Sequence, residues 1–158
     1  MTSPHAAEPE PPGHALLVRR HRVGMEDSDA SRHIFFGAVQ RWHSTLFSNW
    51  LAEVGHGILD GLEDGSSTYP VVVTQAEYLS PLWLDDEVDL GLYTDQIGTT
   101  SFQVIMLGYR VRDHTLAVKS TTTHVFVANR DRKLSAQPFP DDVRTILERG
   151  RLEESVSS

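Results

Sequence analysis

The stretch Glu26-Asp27-Ser28-Asp29-Ala30-Ser31-Arg32-His33-Ile34-Phe35-Phe36-Gly37 has the residue types and spacing best suited to chemistry. Two carboxylates, Asp27 and Asp29, stand two residues apart just ahead of a long apolar segment with helical period. Positions 35–38 hold no Ser, Thr, Asp or Asn, the residues whose side-chain oxygen ordinarily accepts from the first N–H groups of a helix. The donors around Phe36 and Gly37 are therefore free to hold an oxygen that bears negative charge. A carboxylate beside such donors is a workable hydrolase. The helix start polarises a carbonyl, and the carboxylate attacks it or activates a water that does. The same two acids also fit a plainer role, as solvated loop residues of which one accepts from nearby backbone amides.

Other chemistries find less support. The chain has no cysteine, which excludes disulfides, thiolate nucleophiles, and zinc or iron–sulfur centres built on sulfur. Its eight histidines form no His-Glu-x-x-His pattern, so no metal is expected. Gly-x-Ser-x-Gly is absent, and Asp64-Gly65-Ser66-Ser67 reads as a loop rather than a nucleophile turn. His33 either orients Asp29 or is a surface histidine. Arg32 either reaches a substrate oxygen or pairs with Glu26 or Asp27. Arg130, Arg132 and Lys133, with Arg110 and Arg112, form a basic concentration. They either grip an anionic ligand or are solvated and paired with Asp113 and Asp131. A net charge of -8 argues against a general nucleic-acid binder, which needs a basic face to displace counterions.

The elements that must position these residues read as a single α+β domain of 158 residues. Residues 1–13 and 150–158 read as disordered tails around a core over 14–149. A short strand over Ala15–Val23 is followed by a polar loop over Gly24–His33. Val39, Trp42, Leu46, Phe47, Trp50, Leu51 and Val54 recur at three- and four-residue steps, which predicts a helix over Ala38–Val54 ended by Gly55 and Gly57. Strands are expected at Val71–Tyr78 and around Val88–Leu92, where one face is wet. Phe102–Val111, apolar on both faces, reads as a central strand, and Thr115–Ala128 as one long strand. Pro140-Asp141-Asp142 opens a short closing helix. Four strands in a row predict an antiparallel meander. About five strands then wrap around one long central helix whose two tryptophans belong to the core. An exposed sheet edge calls for a second subunit. No apolar run reaches the ~18 residues of a membrane span. The N-terminus lacks the pattern of a secretory signal, so a cytoplasmic address is expected.

Glu26-Asp27-Ser28-Asp29-Ala30, the pair Phe35-Phe36 and Arg41-Trp42 resemble the signature of the 4-hydroxybenzoyl-CoA thioesterase family, a branch of the hotdog-fold acyl-CoA thioesterases. The branch includes the bacterial thioesterases associated with the Tol–Pal system. Tyr78-Leu79-Ser80-Pro81, Asp86-Glu87-Val88 and Pro138-Phe139-Pro140 follow in the same order as the family's elements, so the resemblance covers nearly all of residues 17–148. It implies a hotdog fold, hydrolysis of an acyl-CoA or acyl-carrier-protein thioester, and Asp29 as the catalytic carboxylate. A backbone N–H near Phe36 and Gly37 polarises the thioester carbonyl. Beside what the resemblance implies, Arg32 and His33 are expected as substrate-binding residues, and Arg130, Arg132 and Lys133 as those that would grip the coenzyme A phosphates. No cofactor is implied beyond coenzyme A as part of the substrate. The family's sites lie at a dimer interface, so a homodimer or a dimer of dimers is expected. The chain departs from the pattern at Ser31-Arg32, where glycine is usual, and at Phe36, often histidine or tyrosine; the apolar residue suggests a more apolar acyl pocket. A hotdog dehydratase or hydratase is the second reading, but the stretch from Asp29 lacks that class's Asp-x-Asn-Pro-x-His pattern. A non-catalytic acyl-thioester binder is the third.

Overall fold

A computed structural model describes residues 11–54 and 63–152. Gly55 and Gly57, expected to end the long helix, and the tail residues 1–10 and 153–158 lie outside the described residues. β1 (Leu17–Arg22) leads through a 3-10 turn at Met25–Asp27 into α1 (Phe36–Val54). Then follow β2 (Ser67–Thr68), β3 (Val71–Tyr78), β4 (Glu87–Ile97), β5 (Ser101–Arg110), β6 (Thr115–Val125), β7 (Val127–Arg130), β8 (Lys133–Ala136) and α2 (Asp141–Arg149). No helix among the described residues is long and apolar enough to cross a membrane.

Five strands make one antiparallel sheet in the order β1-β4-β5-β6-β3. The expected meander is therefore corrected. β4, β5 and β6 are hairpin neighbours, but β3 lies at the far edge and pairs with β6, Val73 opposite Thr123 and Tyr78 opposite Val118. The cause is the connection after β3. It holds Pro81 and docks on the loop ahead of α1, where Ile34 N donates to Leu82 O (3.1 Å) and Leu84 N to Arg32 O (2.9 Å). The chain is thus carried past the end of the sheet before β4 begins. The single strand expected over Thr115–Ala128 is also corrected. It breaks at Phe126, whose N–H turns to Thr100 O (2.8 Å), and resumes as β7 in a small sheet ordered β2-β7-β8.

β5 occupies the middle of the large sheet and is buried on both faces. Phe102, Val104 and Met106 point to the main core. Ile105, Leu107 and Tyr109 join Tyr93 and Leu152 on the other side. Thus the face of β4 expected to be wet is largely covered, and Tyr93 there is fully buried. α1 contributes Ala38, Val39, Trp42, Leu46 and Trp50 to the main core, a stripe at three- and four-residue steps. Each large side chain in it adds about 1.5–3 kcal/mol of burial. α2 adds Val143 and Leu147. Thr94 N donates to Gly150 O (2.9 Å) and Leu152 N to Thr94 O (2.7 Å), which fastens the end of the described chain to β4.

One buried acid ties the loop between β1 and α1 to both. Asp27 is 1% exposed. Its Oδ2 accepts from Gly24 N (2.9 Å) and His21 Nε2 (2.7 Å), and its Oδ1 from Trp42 Nε1 (2.9 Å) and the Arg41 guanidinium. Burial alone would raise its pKa. The Gly24 amide, His21 and Trp42 outweigh that and hold it below the usual carboxylate value. Asp27→Ala leaves those donors without an acceptor, so it is expected to cost about 3 kcal/mol in a urea melt at neutral pH. Because the folded pKa is lowered, this stabilisation is complete above about pH 4 and is lost as pH falls through the folded value. The gap between variant and wild type therefore closes in acid. A gap that does not depend on pH would contradict the role of the charge.

Candidate active site

The loop carrying the second acid is a short hairpin. Ser28 bridges Ile34, Asp29 N donates to His33 O (2.9 Å), Arg32 N to Asp29 O (3.0 Å), and Phe35 N to Asp27 O (2.9 Å). Its three-residue tip ends on Arg32 at φ +65°. A left-handed residue is what such a tip requires, and glycine takes that conformation without the penalty a side chain incurs. Arg32 therefore carries backbone strain where glycine is usual in the family it resembles.

Asp29 is exposed, unlike Asp27. Its Oδ1 accepts from Ser31 N (2.8 Å) and from the Ser31 hydroxyl. Ser31 Oγ lies 3.1 Å from His33 Nδ1. Since the one hydroxyl proton goes to Asp29, His33 must donate through Nδ1–H, and the order is His33 to Ser31 to Asp29. The Ser31 hydroxyl, then its amide, hold the carboxyl below its ordinary pKa, and His33 adds to this. Asp29 Oδ2 takes no donor from another residue among the described residues. The His33 ring lies against Trp83, centroids 3.6 Å apart.

Phe36 is the first residue of α1 and is 79% exposed. The amides of Phe36 and Gly37 meet no acceptor among the described residues. Tyr78, at the end of β3, donates its hydroxyl to Phe36 O. A Cβ on Gly37 would come 2.6 Å from the Phe35 ring, so glycine lets that ring lie close to the helix start.

The structure places these groups in two adjoining clefts rather than one. Asp29, Arg32 and Leu84 line one of about 580 Å³. His33, Tyr78 and Leu79 line another of about 310 Å³ on the helix-start side. The Asp29–Ser31–His33 chain joins the two. Arg32 has no ion pair among the described residues, so its expected pairing with Glu26 or Asp27 does not form; Arg41 takes Asp27 instead. Of the basic residues, Arg110 pairs with Asp113 (2.7 Å) and Arg112 with Asp86 (3.5 Å). Arg130, Arg132 and Lys133 surround the tight turn between β7 and β8, with Asp131 and Arg132 both at positive φ. They have no ion-pair partner among the described residues. Sequence reasoning missed Ser31 and Tyr78. Asp29-Ala30-Ser31 carried a local signal, an Asp accepting from the amide two residues on. Tyr78 carried none, because its partner is 42 positions away.

The description of the thioesterase-like superfamily matches residues 23–147. A 1,4-dihydroxy-2-naphthoyl-CoA hydrolase of Nostoc punctiforme is 25% identical over 130 residues, spanning 82% of this chain and 84% of that one. Among solved structures, the dynemicin thioesterase aligns with a TM-score of 0.78 at 20% identity, over 86% of this chain and 97% of its own. A 1,4-dihydroxy-2-naphthoyl-CoA thioesterase from Synechocystis aligns at 0.71 and 18% identity, over 82% and 93%. At such identities the likeness establishes the fold, which is the hotdog thioesterase fold. Ser31→Ala removes the hydroxyl donor to Asp29, and the Asp29 carboxyl is expected to titrate at higher pH. A carbon-detected NMR titration reads the midpoint, and an unmoved midpoint would detach Ser31 from the site.

Proposed function

The chain belongs to the thioesterase-like superfamily, and from that premise we propose that it hydrolyses acyl thioesters to a free acid and a thiol. The observation that carries this reading is Asp29. It is a carboxylate kept ionised by Ser31, with one oxygen free, on a hairpin that runs directly into the bare helix start. Asp29 Oδ2 attacks the carbonyl carbon or takes a proton from a water that attacks it. The carbonyl oxygen gathers negative charge and is held by the amides of Phe36 and Gly37. The carbon–sulfur bond then breaks. Where Asp29 activated the water, its proton passes to the thiolate and the acid is already formed. Where Asp29 attacked, the thiolate takes a proton from solvent, and one water cleaves the acyl–Asp29 anhydride to release the acid and restore the carboxylate. The thioester spans the ridge formed by Ser31 and His33, with its carbonyl on the helix-start side.

Further features support the finer parts of the reading. The collinear motifs favour machinery of the 4-hydroxybenzoyl-CoA thioesterase type, with the large sheet wrapped around α1. Relatives named for coenzyme A thioesters favour coenzyme A as the thiol, with an acyl carrier protein as the other source of the same arm. The unpaired Arg130, Arg132 and Lys133 suit its phosphates. β3 is an edge strand with Val71, Val72 and Val73 about half exposed. A second copy pairing along it removes both the bare edge and the valines. This is an enzyme of the cytoplasm that needs no metal.

Asp29→Asn keeps the shape and loses the charge. It is expected to melt like wild type and to sediment, like wild type, at twice or four times the chain mass. Thiol release from acyl-CoA falls roughly 10²–10⁴-fold. Undiminished turnover removes Asp29 from the mechanism, and a sedimenting monomer removes the second copy. Arg132→Gln with Lys133→Gln is expected to raise KM for acyl-CoA about tenfold at low salt with kcat unchanged. An unchanged KM assigns the phosphates elsewhere.

A further inference from the structure

On a face of α1 that the mechanism does not use, a cleft of about 370 Å³ opens between α1, β3 and β6. Gln40, His43, Ser44 and Phe47 line it from the helix. They recur at three- and four-residue steps, and Phe36 is the next position back along the same stripe. The cleft therefore leads away from the helix start. His43 lies seven residues on, about 10 Å along the axis at 1.5 Å per residue. β3 supplies the opposite wall. Thr74 faces the cleft, and a register shift between Val71 and Val73 turns Val71 to the same side. The far end of β3 meets the helix start again through Tyr78 and Phe36.

The floor is polar, buried and proton-ordered. His43 is 2% exposed and His124 4%. His124 Nδ1 lies 3.0 Å from Tyr69 O, which can only accept, so Nδ1 carries the proton and Nε2 offers a lone pair. Thr122 must then donate to His124 Nε2 (2.9 Å) and accept from His43 Nε2–H (3.2 Å). His43 Nδ1 is left to accept from Ser120 Oγ (2.8 Å). One carbonyl thus sets the direction of four hydrogen bonds. Both rings are neutral: burial and the neighbouring His124 push His43 down to about 4, and burial lowers His124. Every ring nitrogen is occupied. Thr122 lines the cleft and its Oγ1 keeps a second lone pair; Ser120 Oγ also keeps lone pairs, but Ser120 is buried and does not line the cleft.

We propose that this cleft receives the acyl group of the thioester, and that Thr122 is the specificity-determining residue, accepting a hydrogen bond from a hydroxyl carried at the far end of the acyl group. The inference rests on the thioesterase reading for the position of that carbonyl. An unsubstituted acyl group leaves the Thr122 lone pair dry, and an ether or keto oxygen faces it with a second lone pair. A hydroxyl donor alone completes the chain.

Inert thioethers of coenzyme A test this without turnover. The probes are S-(2-naphthylmethyl)-CoA, its 6-hydroxy form and its 6-methoxy form, titrated into the full-length protein by calorimetry. The hydroxy form is expected to bind about tenfold more tightly than either of the others. Thr122→Val abolishes that preference and Thr122→Ser retains it. Equal affinities in wild type, or a preference that survives in Thr122→Val, overturn the inference. If the valine variant does not fold, the three ligands on wild type and on Thr122→Ser decide. Thiol release from the matching naphthoyl-CoA esters reports separately on the thioesterase reading. Release without discrimination removes only the role of Thr122, and discrimination in binding without release removes only the hydrolysis.

Discussion

A charge that is out of water must be surrounded by donors, and Asp27 meets that demand by collecting them from three parts of the chain. His21 comes from β1, the Gly24 amide from the loop, and Arg41 and Trp42 from α1. Any other path of the loop would strand the carboxylate, so the loop has one path. That constraint reaches the neighbouring acid. Phe35 N bonds back to Asp27 O and the hairpin closes, with Asp29 at its base where its N–H meets His33 O. Two aspartates two positions apart thus divide the work. The dry one fixes geometry, and the wet one is held on one oxygen by Ser31.

The same division runs through the other polar groups. Asp29 is exposed but ordered by Ser31, so it stays ionised without the solvation cost that Asp27 meets with four donors. The chain from Ser120 through His43 and Thr122 to His124 is dry and uncharged, and its order comes from a backbone carbonyl rather than from an ion. Charge sits at one end of α1 and neutral polarity along its flank. Arg32 adds a local cost, a left-handed backbone beneath a long side chain, at the rim of the cleft that holds Asp29.

Much of this was legible in the residues, and the parts that were not share a cause. The three- and four-residue steps of Val39, Trp42, Leu46 and Trp50 gave α1 to within two residues at its start, because burial of one helical face leaves a local period. Phe102–Val111 read as central because both of its faces are apolar, and β5 is flanked by strands on both sides. The Asp29 segment could be singled out because acid spacing and the missing cap are local too. Pairing of β3 with β6 was not legible. Strand partners are chosen across the fold, and a run of Val and Thr fits any neighbour. The break at Phe126 depends on Thr100, and Tyr78 on Phe36. The direction of the His–Thr–His chain depends on where Tyr69 leaves its carbonyl. Each is a contact between residues far apart in sequence, with no period to announce it.

The central claim is that a thioester carbonyl binds with its oxygen on the amides of Phe36 and Gly37 and its carbon facing Asp29. A crystal structure with an acyl-CoA ketone analogue, a methylene in place of the thioester sulfur, tests it most directly. The ketone oxygen is expected about 2.7–3.1 Å from one or both amides, with Asp29 Oδ2 the nearest carboxylate oxygen to the carbonyl carbon. A ketone seated away from the helix start, or approached by a different acid, would contradict it.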